Sequence, residues 1–244
     1  MDKLIFTAVS GAERTLRAQQ VRANNLANAD TPGFRANIEL ASAQALGALG
    51  GYGYDDVHLS RTEADTISTR AGTVRETGRA LDVALAGNGY LAVDYDGGEA
   101  YTRAGAIDID ATGALSVNGR PLLGEGGPIV LPPNTAVDIA PDGTISVMPE
   151  GATLTQVIDR LRLVSGAGAE LTKNEAGLIV TRNGDPLQAD PNVTVRSRAL
   201  EGSNVSAVEE MVAVMSLNRS FEMQMKMFKA SDSMNESGNR LLGA

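Results

Sequence analysis

Apolar and small side chains recur along the first 27 residues with a helical period. Ile5, Val9, Ala12, Leu16, Gln19, Ala23 and Leu26 are separated alternately by four and three residues. That 3.5-residue repeat predicts a helix with a coiled-coil-like seam. The seam is thin, because it holds three alanines or glutamines among its seven positions, and Gly11 beside it costs about 1 kcal/mol relative to Ala. The other end of the chain has the same rhythm. Met211, Val214, Asn218, Phe221, Met225, Phe228, Asp232, Asn235, Asn239 and Leu242 alternate in spacings of three and four. "SNVSAVEEMVAVM" opens that helix, with Ser203 or Asn204 as cap and Glu209 and Glu210 near the positive end of the helix dipole.

Between the two helical patterns the period falls to two. "LDVALA" leads to "GNG", "YLAVDY" to "DGG", "AIDID" to "ATG", "ALSV" to "NGRP", "AVDIA" to "PDG" and "GLIVT" to "RNGDP". Asn-Gly, Asp-Gly and Gly-Gly between β-like runs are hairpin signals. Residues 80–202 therefore predict an all-β domain, mostly antiparallel. "ATLTQVIDRLRLV" fits helix or strand equally. Residues 36–79 read as an irregular, extended arm, in which the Ala-rich run from Ala36 to Leu49 suits a helix and "GGYGYDD" is a flexible break. The expected class is α+β. Its parts are an assembly helix and turn at 1–35, the arm at 36–79, the β domain at 80–202, and a C-terminal assembly helix at 203–244 that packs on the first as a coiled-coil-like element.

Charge sharpens this division. The net charge is −9 over 244 residues, distributed as +1 in residues 1–40, −8 in the middle and −2 from residue 200 onward. The middle is the solvated, self-repelling part. Neither end carries a basic block, so the chain lacks the electrostatic footprint of a nucleic-acid binder. There is no Cys, which excludes disulfides, thiol catalysis and Cys-ligated zinc. Asp2, Lys3, Glu13, Arg14 and Arg17 interrupt any apolar signal core, and no run approaches the roughly 18 apolar residues of a membrane span. The expectation is a chain that is not membrane-inserted and carries no cleaved signal peptide.

Catalytic patterns fail on their context. "GNGYLA" (87–92) has dinucleotide-fingerprint spacing, but "VDYDGG" comes next, which is strand and turn where the fingerprint needs a helix. "DIDATG" (108–113) starts like a calcium loop, yet Gly119 stands where the bidentate Glu belongs. His58 is the single histidine, and no nucleophile elbow accompanies it; a surface-loop imidazole is expected. A carboxylate pair remains allowed by residue type. The expectation is no enzyme activity, no metal, no cofactor and no small-molecule substrate.

One stretch stays unexplained by composition: "ANNLANADTPGFR". Three asparagines crowd the end of a predicted helix although Asn competes for backbone hydrogen bonds and disfavours helix interiors. Pro32 biases Thr31 to extended backbone, Gly33 permits a turn, and Phe34 can anchor the chain. Asn24 and Asn28 share a face, whereas Asn25 lies about 100° round from Asn24. Amides at few positions set the register of a helical seam.

This motif resembles the N-terminal signature of the bacterial flagellar axial proteins, the rod and hook family, through Asn24, Asn25, Leu26, Asn28, Pro32, Gly33 and Phe34. "MDKLIFTAVSGA" is similar to the start of the family's proximal rod branch. "TGRALDVALAGNGYLAV" matches the entry to its β domain at Gly78, Leu81, Asp82, Val83, Gly87 and Gly89. "YTRAG", "GEGGPI", "DGTISV" and the C-terminal "ALEGSNVSAVEEMVAVMSLNRSFEMQMKMFKASDSMN" continue the likeness in order.

The resemblance implies a structural subunit of the periplasmic rod in the flagellar basal body. Such a subunit is exported by the flagellar type III apparatus and polymerises helically with itself and other rod subunits into a drive shaft from motor to hook. It implies assembly roles for Ile5, Val9, Leu16, Asn24, Asn25, Leu26, Asn28, Pro32, Gly33 and Phe34. At the other end it implies them for Asn204, Val205, Met211, Val214, Asn218, Phe221, Met225 and Phe228. A distal rod subunit of the same family, and a secreted β-rich adhesin with a helical stalk, are the alternatives.

Overall fold

The computed structural model describes residues 2–45, 58–151 and 154–242. The chain opens with α1 (Asp2–Ala27), followed by β1 (Asn37–Ala45), β2 (His58–Ile67) and β3 (Val74–Glu76). Next come β4 (Val83–Leu85), β5 (Gly89–Tyr95), β6 (Gly98–Thr102), β7 (Ile107–Ile109), β8 (Leu115–Val117), β9 (Arg120–Pro121), β10 (Leu123–Gly124) and β11 (Gly127–Pro128). The hairpin strands β12 (Asn134–Ile139) and β13 (Thr144–Pro149) lead to β14 (Gln156–Arg160), β15 (Leu163–Ser165), β16 (Leu171–Lys173), β17 (Ile179–Thr181), β18 (Val195–Ser197) and β19 (Ala199–Glu201). The last element is α2 (Ala207–Leu242). The class is α+β, with antiparallel pairing in every strand pair whose register is described.

The chain divides into two compact units. One holds α1, β1, β2 as far as Asp65, and α2 from its cap onward. The other holds residues 28–36 and 66–205. In the β unit the largest sheet has the order β15-β5-β6-β17-β16, and smaller sheets join β12-β13-β14 and β7-β8-β9. Strand β5 shows why "YLAV" is an unbroken apolar run. Leu91 and Val93 enter one buried cluster, with Ile107, Leu115, Leu122, Ile145 and Leu161, whereas Tyr90 and Ala92 enter another, with Tyr101, Val164, Leu171 and Ile179. A strand buried on both faces cannot alternate with polar residues. The hairpin turns obey the sequence signals. Asp96-Gly97 joins β5 to β6, and Asn118-Gly119 joins β8 to β9, all four residues having positive φ (52° to 76°), as the primed turns that match strand twist require.

Four expectations change. The Ala-rich run from Ala36 is strand β1 rather than helix, because Asn37, Ile38, Glu39 and Leu40 feed a two-stranded sheet with β2. His58 opens β2 and is not in a loop. "ATLTQVIDRLRLV" resolves as strand from Gln156, supplying β14 and β15. The helix cap is neither Ser203 nor Asn204. Helix α2 starts at Ala207, with the Ser206 hydroxyl accepting from the Glu209 N–H at 3.4 Å; Ser206-Ala-Val-Glu209 has capping-box spacing. The "GGYGYDD" break lies outside the described residues.

Candidate assembly site

In the helical unit α1 and α2 run in opposite directions, since Gly11 meets Gln224, Gln19 meets Asn218, and Arg22 meets Glu210. The facing residues are small or polar. Thr15, buried, donates to the Gly11 carbonyl at 2.9 Å and to Gln224 Oε1 at 3.3 Å. Gln19 Nε2 donates to Asn218 Oδ1 at 2.7 Å. Besides half-buried Ala207, Ala213 and Ser220, the buried or half-buried positions among the described α2 side chains are Glu210, Val214, Leu217, Phe221, Gln224, Phe228 and Ser231. Three of them belong to the sequence-read seam; the others stand one residue before its Met211, Asn218, Met225 and Asp232.

The centre of this site is Asn25, which is 0% exposed. Its Nδ2 donates to the Asn37 carbonyl at 3.0 Å and to Glu210 Oε1 at 3.4 Å, and its Oδ1 accepts from the Asn37 N–H at 2.9 Å. The carboxamide thus pairs with both backbone groups of one residue, as a neighbouring strand would. Only a side chain carrying both donor and acceptor can do so. Glu210 is buried in the first turn of α2, where the helix dipole favours a carboxylate, and Arg22 pairs with it at 3.1 Å. Three segments meet here: the last turn of α1, the start of β1 and the start of α2.

The opposite side of α2 exposes large apolar side chains, interspersed with Arg219 and Lys226. Val208, Val212, Met215, Met223, Met227 and Met234 are 53–69% exposed. At 100° per residue Val208, Val212, Met215 and Met223 lie across the helix from Glu210, Val214, Leu217 and Gln224, and Met227 and Met234 stand on its flank.

The β unit holds residues 31–36 by different means. Gly33 has φ +71°, and a Cβ there would overlap the backbone of Arg103 and Ala104. Its N–H donates to the Glu201 carbonyl at 2.8 Å. Phe34 lies under Lys173, whose Nζ is 3.6 Å from the ring centroid and donates to the Arg35 carbonyl at 2.6 Å. Burial lowers the Lys173 pKa to about 8. Arg35 pairs with Glu201 Oε1 at 2.9 Å, and Arg103 Nε with Oε2 at 2.7 Å, all three side chains being buried. Arg103 also donates to the carbonyls of Leu85, Gly87 and Gly89. Burial, then the nearby Arg103, pulls the Arg35 pKa below the ordinary arginine value, and Glu201 opposes this. Asn204 completes the arrangement: its Oδ1 accepts from the Ala36 N–H at 2.7 Å, its Nδ2 donates to the Arg70 carbonyl at 2.8 Å, and its own N–H donates to the Phe34 carbonyl at 3.2 Å.

Of the residues singled out from sequence, Asn25 is buried; Leu26, Asn28, Gly33, Phe34, Asn204, Val205, Val214, Phe221 and Phe228 are half-buried. Val9, Leu16, Asn24, Pro32, Met211, Asn218 and Met225 are exposed. The Ile5 side chain lies outside the described ones. Asn28 Oδ1 accepts from the Thr31 hydroxyl at 3.2 Å, which makes it part of the turn.

Comparisons with known proteins fit this layout. A family model described as "Flagella basal body rod protein" matches residues 5–35, one for the "Flagellar hook protein FlgE/F/G D1 domain" matches 84–147, and one for the "Flagellar basal body rod FlgEFG protein C-terminal" matches 196–241. The flagellar basal-body rod protein FlgF of Escherichia coli (strain K12) is 42% identical over 252 residues, covering 99% of both chains. The chain belongs to the flagellar basal-body rod protein family. The FlgF protein of Salmonella typhimurium is 41% identical over 256 residues, again covering 99% of each chain. A flagellar basal-body rod protein FlgG of Bacillus subtilis is 34% identical over 127 residues, covering 47% of this chain and 48% of its own.

The resemblance read from the motifs is thereby borne out, and the function is that of a structural flagellar rod protein, not of an enzyme. No helix among the described residues of this rod protein is long and apolar enough to cross a membrane. Sequence reading missed Arg35, Arg103, Lys173 and Glu201. The "GFR" and "YTRAG" stretches carry two of them, and the signal was present: an Arg inside an otherwise apolar run demands a buried acidic partner.

Proposed function

We propose that this rod subunit polymerises helically through its terminal helices, which pair as a coiled-coil-like element. The exposed apolar stripe of α2 carries this reading. Val208, Val212, Met215 and Met223, exposed on the side of the helix opposite the one that meets α1, form an apolar surface that soluble monomers seldom present. A helix contact that does not close on itself generates an open helical polymer. The occupants are copies of this chain and other rod subunits, and the polymer serves as the periplasmic drive shaft between motor and hook. The placement in the proximal rod rests on the "MDKLIFTAVSGA" start and on full-length similarity to FlgF proteins. Export through the flagellar type III apparatus without a cleaved signal belongs to the same reading.

The test is Met215→Glu with Met223→Glu. Both side chains are exposed in the single chain, so the doubly substituted protein should keep its circular dichroism spectrum yet fail to polymerise and fail to restore hooks in cells lacking the wild-type gene. Normal flagellation by that variant would overturn the proposal. Lys226→Glu reverses a charge already on that side without removing an apolar group, and so separates the effect of charge from the loss of apolar contact.

A further inference from the structure

The methionines of α2 are exposed, and Met215 and Met223 stand on the side of the helix away from Glu210 and Val214. All six, Met211, Met215, Met223, Met225, Met227 and Met234, are exposed, at 38–62%. The α2 side chains that hydrogen-bond α1 include Glu210, Asn218 and Gln224, none of them a methionine. The chain has eight Met and no Cys, so thioethers are its only oxidisable sulfur, and three quarters of them stand on this one helix. Leu has at least equal helix propensity and a better-defined rotamer. Met offers a soft, adaptable surface together with one chemistry that Leu lacks.

We propose that the outward face of α2, at Met215 and Met223, is a peroxide-sensitive modification site, where conversion of methionine to methionine sulfoxide blocks assembly without disturbing the pairing of α1 with α2. The oxidant is hydrogen peroxide. The thioether sulfur attacks one peroxide oxygen, an S–O bond forms as the O–O bond breaks, and the second oxygen leaves as water. The sulfur loses two electrons and the peroxide gains them. The product is polar and chiral where an apolar side chain stood. Placed on a face that must be dry in a polymer, each unpaired sulfoxide oxygen carries a desolvation penalty. Methionine sulfoxide reductases with a dithiol reverse the step: the dithiol becomes a disulfide and the sulfoxide oxygen departs as water. The consequence for assembly rests on the polymerisation reading above, but the site selectivity does not.

The experiment treats the full chain with hydrogen peroxide and maps oxygen addition by peptide mass spectrometry, about 16 Da per sulfoxide. The α2 methionines should be modified before half-buried Met148 of β13. Circular dichroism at 222 nm should be unchanged, and the pelletable polymer should fall by about tenfold, the effect of 1.4 kcal/mol per contact. Treatment with both reductases and dithiothreitol should restore it. A variant with all six residues changed to Leu should polymerise equally with and without peroxide. Modification of Met148 first, undiminished polymerisation of the oxidised chain, or peroxide sensitivity persisting in the six-Leu variant would each overturn the inference. Failure of the untreated chain to polymerise would instead count against the polymerisation reading, leaving the mapping order to decide the site.

Discussion

The carboxamide of Asn25 makes both of its short hydrogen bonds to the backbone of Asn37, accepting from its N–H at 2.9 Å and donating from Nδ2 to its carbonyl at 3.0 Å. A side chain of α1 therefore occupies the place of a neighbouring strand for β1. Asn25→Ala leaves a buried donor and acceptor unmatched, together with a lost bond to Glu210. The expected loss is about 1–3 kcal/mol. Both described α-helices belong to the unit that contains Asn25, so the melt followed at 222 nm reports it. An unchanged helical transition in Asn25→Ala would refute this account. Asn24→Ala, at an exposed position, should move the midpoint far less.

Glu201 stands between two buried guanidinium groups, those of Arg35 and Arg103. It also accepts from the Gly72 N–H at 2.8 Å. Glu201→Ala strands two buried cations and should destabilise the β unit by about 3–5 kcal/mol. Denaturant unfolding followed by tyrosine fluorescence measures it, since Tyr90 and Tyr101 are buried in that unit. A loss below that of an ordinary surface substitution would show that solvent reaches the cluster.

Gly33→Ala combines a left-handed backbone with a steric conflict at Arg103 and Ala104. The backbone alone costs about 1–2 kcal/mol, and the overlap adds to it. Gly78 also has positive φ, but a Cβ there meets nothing within 4 Å. Gly78→Ala should therefore show the backbone cost without the clash. Equal losses in the two variants, in the same denaturant series, would contradict this.

Lys173 gives the β unit a signature in alkali. Its pKa falls from 10.5 to about 8 because burial penalises the ammonium. The unfolded chain thus binds the proton more tightly than the folded one. Stability is reduced by that penalty below pH 8 and recovers as pH rises from about 8 to 10.5. The difference between wild type and Lys173→Met should grow in favour of wild type across that window. Burial raises the Tyr90 and Tyr101 pKa values, so stability declines again once unfolded tyrosines ionise above pH 10. A flat difference between the two proteins from pH 7 to 10 would rule the lysine out.

Sequence pattern revealed the helices, the hairpins and the turn at Gly33 because each rests on a local rule. The Asn-Gly and Asp-Gly turns need positive φ whatever surrounds them. The seam on α2 was harder. Met211 and Glu210 are adjacent, and a hydrophobicity pattern selects the methionine, whereas tertiary contact selects the carboxylate that Arg22 and Asn25 need. Strand β1 is hard to read within the irregular arm for the same reason: its alanines suit a helix locally, but pairing with β2 and the Asn25 carboxamide decide the outcome. The Arg35–Glu201–Arg103 cluster joins positions as far apart as 35 and 201, a relation no local window contains.

The β unit is nearly continuous in sequence, whereas the helical unit joins α1 to α2 across some 180 intervening residues. Loop-closure entropy must be overcome before such distant contacts return any stability. Order in time therefore mirrors order in topology. In refolding, the tyrosine signal of the β unit leads and the helix signal lags. A chain emerging N-terminus first has α1 in hand from the start, yet finds its partner helix only when its last residues arrive.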